Sequence, residues 1–159
     1  MMRWKITLIA AALLLLGATG PSFAAEVGGD EAKKELKKLQ GTWVMVSGEL
    51  SGKKAADEHV SRSKVVYEGD KLQIIVPNQT PETIVAEIVK IDPTKKPKEM
   101  HFIRKNGPNA GKTLIGIYEF EGDDQYKFAL DPAGASALKD FVTKDGTGHV
   151  RNTWKRVKP

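Results

Sequence analysis

From Gly41 onward the chain is a succession of short runs in which apolar and polar residues alternate, each run bounded by Gly, Pro, Asn or Asp. A period of two sends successive side chains to opposite faces, so each run predicts a half-buried strand. Eight are predicted: residues 42–50, 63–68, 71–76, 83–91, 100–105, 113–121, 126–130 and 149–157. Leu72, Ile74 and Val76 share one face of their strand, as do Tyr126, Phe128 and Leu130 of theirs. In 83–91 and 113–121 both faces are partly apolar, which leaves the inward phase open there. Gly69-Asp70 and Gly122-Asp123-Asp124 are tight turns, whereas 106–112 and 131–147 are longer connections.

Before the strands, residues 31–39 place Leu36 and Leu39 three apart among Lys33, Lys34, Lys37 and Lys38. That spacing predicts a short helix with one narrow apolar edge that packs as a plug. Glu31 and Glu35 interrupt the lysines, so the run reads as a solvated helix face rather than a membrane-surface patch. No helical segment is long enough for parallel crossovers, so the strands are expected to be antiparallel. The predicted fold is all-β: an eight-stranded antiparallel up-and-down barrel with a short N-terminal helix. Closure leaves no exposed edge and an interior wide enough for side chains or one small ligand. A two-sheet sandwich is the alternative.

The first residues have a separate logic. Arg3 and Lys5 precede an apolar run from Ile6 to Ala18, and Ser22 and Ala24 supply small residues at cleavage positions. This pattern predicts a signal peptide, residues 1–24, and a mature protein that is periplasmic or extracellular with no stable membrane anchor. The run is shorter than the roughly 18 residues a spanning helix needs. Residues 25–35 then form a polar linker and the start of the helix, and 36–159 the barrel domain.

Composition narrows the chemistry. The chain has no cysteine, which excludes disulfides, thiolate metal sites and thiol nucleophiles. Its formal charge of +5 falls to +3 once Arg3 and Lys5 leave with the leader, and the basic residues are interspersed with acidic ones. Nucleic acid is therefore not an expected partner.

Several motifs carry a family resemblance. Leu39-Gln40-Gly41-Thr42-Trp43 has the Gly-x-Trp start of lipocalin-like barrels, and the chain from Leu36 onward resembles an uncharacterised family of exported, lipocalin-like proteins found mainly in planctomycete bacteria. The similarity rests on that motif, on Asp92-Pro93-Thr94-Lys95-Lys96-Pro97-Lys98, on Gly116-Ile117-Tyr118-Glu119, and on Trp154-Lys155-Arg156 near the end. The chain departs from the family pattern at His101, around Phe128 and Ala129, and at Ala137-Leu138. The resemblance implies a barrel whose first-strand tryptophan, Trp43 after Gly41, meets a last-strand arginine, Arg156, at the closed end. It brings no established activity.

No catalytic constellation stands out. Gly107 to Thr113 mimics a phosphate-binding loop but is one residue short and leads into a strand, so it reads as a hairpin loop. Gly134 to Leu138 lacks the second glycine of a nucleophile elbow. His59, His101 and His149 are isolated, without the spacing that places two metal ligands on one face. Asp57-Glu58 and Asp123-Asp124 read as turn and loop chemistry. The basic loop 92–98 has two readings, an anion-attracting frame for the barrel mouth or a stiff solvated connection, and the second is the better supported. No metal and no cofactor are expected, and enzymatic activity is the least supported class. Two readings of function remain open: a carrier or sensor of a small amphipathic ligand lined by Tyr67, Tyr118, Tyr126 and Phe128, or an extracytoplasmic interaction module whose barrel is filled by its own side chains.

Overall fold

The computed structural model describes residues 28–134 and 136–158. The expected signal peptide and the beginning of the linker lie outside the described residues. Helix α1 (Asp30–Leu39) leads into β1 (Gly41–Leu50), followed by β2 (Lys53–Lys54), helix α2 (Asp57–Arg62), β3 (Lys64–Glu68) and β4 (Lys71–Ile75). The chain continues through β5 (Thr83–Asp92), β6 (Lys98–Arg104), β7 (Thr113–Phe120), β8 (Gln125–Leu130) and β9 (Val150–Arg156). Apart from β2, neighbours in sequence are neighbours in the sheet, every pairing is antiparallel, and β1 also pairs with β9. That last pairing turns the meander into a closed eight-stranded barrel, an architecture consistent with a lipocalin-like domain, and β2 is an addition to it.

The expected strands are present with small shifts at their ends. The segment 51–62, which lies between two predicted strands and for which the sequence pattern predicts no element, holds β2 and α2. Its structure follows from a mismatch in strand length. Strand β3 pairs with β1 only over Gly41 to Val44, which leaves the far half of β1 facing no β3 residue. Unpaired backbone groups there are costly, and the chain supplies partners locally. Ser51 and Gly52, both at positive φ, make a tight hairpin that sets Lys53–Lys54 against Glu49 and Leu50. The Ala55 N–H then donates to the Gly48 carbonyl at 2.9 Å, and the Met45 N–H donates to the Ser63 carbonyl at 3.0 Å.

The core runs through the barrel interior, with Trp43, Met45, Val65, Tyr67, Leu72, Ile88, Met100, Phe102, Tyr126 and Trp154 all buried. Two β-bulges set the phase of inward residues, between Met45 and Ser47 in β1 and between Ile88 and Lys90 in β5. The second explains the ambiguous pattern of residues 83–91: Ala86 and Ile88 point inward before the bulge and Ile91 after it, so one inward set occupies both parities.

Helix α1 belongs to the domain along its whole length. Ala32, Glu35 and Leu39 are buried and Leu36 packs partly against the core, so the helix plugs the end of the barrel where β1 begins. The turn 93–97 lies at that same end, because β5 finishes and β6 starts there, and Lys98 reaches Glu35 on α1 at 2.9 Å. The basic loop therefore does not frame the mouth. The opposite rim is built by segments 51–62, 76–82, 105–112 and 131–149.

Candidate functional site

The closed end is built by the residues around Trp43. Its indole, fully buried, donates from Nε1 to the Leu39 carbonyl at 2.7 Å, packs edge-on against Tyr126 at 4.8 Å, and lies 4.1 Å beneath the Arg156 guanidinium. Arg156 donates in turn to the carbonyls of Gln40 (2.7 Å) and Lys38 (2.6 Å), so one cation caps the C-terminus of α1 and covers the indole. Gln40 clamps the β3–β4 hairpin by donating to the Gly69 carbonyl at 3.0 Å and accepting from the Gly69 N–H at 2.7 Å. Gly41 sits at φ +101°, the left-handed side of backbone space that turns the helix end into β1. Each position from Leu39 to Trp43 except Thr42 thus has a defined task in closing the barrel.

A buried polar cluster fastens the helix. Glu35 accepts from Lys98 (2.9 Å), Lys38 (3.1 Å) and the Tyr118 hydroxyl (3.2 Å). Burial pushes the Glu35 carboxyl upward, but the two lysines outweigh it and hold the group below its ordinary range. The Tyr118 hydroxyl is pushed well above its ordinary value by burial and by the carboxylate beside it.

Above this floor the barrel is hollow. A cavity of about 310 Å³ extends from Tyr67 and Tyr126 to the opposite rim, walled mainly by apolar side chains including Leu72, Ile74, Phe102, Leu114, Phe128 and Trp154. The two tyrosine hydroxyls share a hydrogen bond of 2.9 Å. Burial pushes Tyr67 up to about 12 and Tyr126 well above its usual value, so both remain neutral phenols that can orient a polar atom. Gly116 makes room for this wall: a Cβ there would lie 2.3 Å from the Phe128 ring, so the glycine of Gly116-Ile117-Tyr118-Glu119 is required by packing.

The rim is held by side chains reaching between loops. Asn106 accepts from the Val85 N–H and donates to the Thr83 carbonyl, both at 2.8 Å, tying the β6–β7 hairpin to β5. Asn109 donates to the Pro132 carbonyl at 2.9 Å. Thr143 donates to Glu49 and accepts from the Gly52 N–H at 3.1 Å, which ties the long β8–β9 connection to the β1–β2 turn. His59 of α2, Gln79, Arg104 and Asn152 bring polar atoms to the cavity lining.

Of the four expected lining residues, Tyr67, Tyr126 and Phe128 meet in the cavity, while Tyr118 turns to Glu35 and serves the closed end. Trp43 and Arg156 are in contact after Gly41, as described. The 107–113 segment is a hairpin loop joining β6 and β7. Among the described residues no group of three metal-capable side chains converges, and His101 pairs with Glu99 at 3.2 Å. Sequence reasoning overlooked Arg104 and Gln79. The signal for Arg104 was present, because Met100, Phe102 and Arg104 share one parity, and a charge on the inward parity of a barrel strand calls for a reason. Gln79 sits in a loop, where no periodicity can report which way a side chain faces. Comparisons with protein-family models, curated proteins and solved structures find no match for this chain.

Proposed function

We propose that this domain is an exported, lipocalin-like carrier or sensor that takes a small amphipathic molecule into its barrel. The observation that supports the reading is the cavity of about 310 Å³, apolar along its walls with a few polar groups at floor and rim. Ligand sites occupy concave, mostly apolar spaces of about 300 Å³ or more with a small number of placed polar atoms. A barrel filled by its own side chains leaves no comparable void, which weighs against the interaction-module reading. Export rests on the leader pattern of residues 1–24, and membership of the planctomycete family rests on the motifs named above.

The test is dye binding. The uncharged, environment-sensitive dye Nile red should gain fluorescence saturably with the folded protein and lose it in urea. Ile74→Trp, at a partly buried cavity wall, should cut the gain by filling the space. Absence of saturable binding to the folded protein, or binding unchanged in folded Ile74→Trp, overturns the proposal.

A further inference from the structure

Among the described residues, Arg104 brings a cation to the cavity lining and makes no ion pair, while the carboxylate that shares that lining, Glu49, is paired with Arg151. Arg104 is the last inward residue of β6 before the hairpin, and its Nε is buried with no hydrogen-bond partner among the described residues. Two carboxylates of neighbouring strands are engaged with other cations: Glu49, in the cavity lining, binds Arg151 at 2.5 Å and Thr143, and Glu87, on the outward parity of β5, binds Lys105 at 2.6 Å. A second donor, Nε2 of Gln79, is likewise buried without a partner. Both residues line the same cavity. Two orphaned buried donors in one apolar space, one of them permanently charged, are costly unless something accepts from them.

The guanidinium lies beside the β6–β7 hairpin. At Gly107, which sits at φ +69°, a Cβ would lie 3.1 Å from Arg104 Nη2 and 2.8 Å from Pro81 Cδ. The absence of a side chain at 107 therefore lets the guanidinium and the loop carrying Gln79 pack beside the same point. The Asn106 bonds to β5 fix the hairpin from below. Donors carried on a tied hairpin and a neighbouring loop can converge on one anion, and a planar guanidinium matches a carboxylate in particular.

We infer that Arg104 and Gln79 form a carboxylate-binding subsite near the rim, and that the ligand is a medium-chain carboxylate whose apolar tail runs toward Tyr67 and Tyr126. This inference rests on the carrier reading and names the ligand class for it. Size sets the chain length. The cavity is about twice the roughly 150 Å³ void that accommodates benzene, which corresponds to about a dozen non-hydrogen atoms, the size of decanoate.

Competition against Nile red tests it with three probes of matched tail: decanoate, decan-1-ol and decylammonium. Decanoate should displace the dye at a concentration about tenfold lower than decan-1-ol, the worth of one good charge-assisted hydrogen bond, with decylammonium the weakest. Arg104→Met, which keeps the stem and removes the charge, should bring decanoate to the level of decan-1-ol and leave decan-1-ol unchanged. Gln79→Leu, in a loop, should shrink the preference in the same direction and serves if Arg104→Met does not fold. Decan-1-ol or decylammonium competing as well as decanoate on the unaltered protein overturns the subsite and leaves the carrier reading standing. A decanoate preference that persists in folded Arg104→Met overturns the subsite in the same way. If Nile red shows no saturable binding at all, the carrier reading fails and this inference falls with it.

Discussion

Removing Trp43 probes the closed end where packing, hydrogen bonding and cation–π contact coincide. A fully buried tryptophan withdraws about 200 Å² from water, worth at most about 5 kcal/mol at 25 cal/mol/Å². Trp43→Ala also strands the Leu39 carbonyl, which accepts from the indole at 2.7 Å, and such a loss adds about 1 kcal/mol. Partial collapse of the site offsets some of this, so the expected destabilisation is about 3 to 5 kcal/mol. Arg156→Ala removes two charge-assisted bonds, to the carbonyls of Lys38 in the last turn of α1 and of Gln40 just after it, from a partly exposed position, and about 1.5 to 3 kcal/mol is expected. Because the guanidinium lies 4.1 Å from the indole, the double variant should lose less than the sum, by a coupling of about 0.5 to 2 kcal/mol. Urea unfolding followed by far-ultraviolet circular dichroism measures all four proteins without relying on the altered fluorophore, and an unchanged urea dependence checks that the unfolded state is common to them. Losses that add to within about 0.3 kcal/mol would refute the contact and the account of barrel closure built on it.

The Glu35 cluster makes stability depend on acidity. The carboxyl lies below its ordinary range in the folded protein, so its contribution is fully present above the unfolded value of about 4.3 and is lost as pH falls through the folded one. Thermal melts from pH 6 downward should show a fall in melting temperature that is shallower in Glu35→Gln, and parallel curves for the two proteins would contradict it. At neutral pH Glu35→Gln should cost about 2 kcal/mol, less than a fully buried pair because Lys38 and Lys98 still reach water. Intact mass of the exported protein should correspond to a chain beginning at Ala25, and a mass that retains residues 1–24 would refute cleavage at that site.

Much of the barrel is legible in local pattern, because alternation and turn residues are properties of a few consecutive positions. Leu72, Ile74 and Val76 line the cavity together, as do Tyr126, Phe128 and Leu130, in agreement with their shared parity. Where the pattern failed, a non-local fact had intervened. Residues 83–91 read as apolar on both faces because a bulge after Ile88 changes the parity of the inward set, and a bulge exists only relative to the partner strand. The segment 51–62 gained β2 and α2 because β3 is half as long as β1, a mismatch visible only once the two are paired.

The division is similar at the functional level. The number of strands in the closed barrel, their antiparallel connection, the helical plug and the aromatic content of the interior follow from the sequence alone, since each depends on periodicity, turn chemistry or composition over short windows. Which aromatics share a space did not. Tyr118 and Tyr126 look alike in sequence, yet one hydroxyl meets Glu35 beneath the plug and the other meets Tyr67 at the cavity floor. Nor could the sequence show that Arg104, at the end of β6, and Gln79, in the β4–β5 connection, would bring to one cavity donors without a partner among the described residues. Pairing register and barrel closure decide those neighbours, because they bring together residues far apart along the chain whose partners no local window contains.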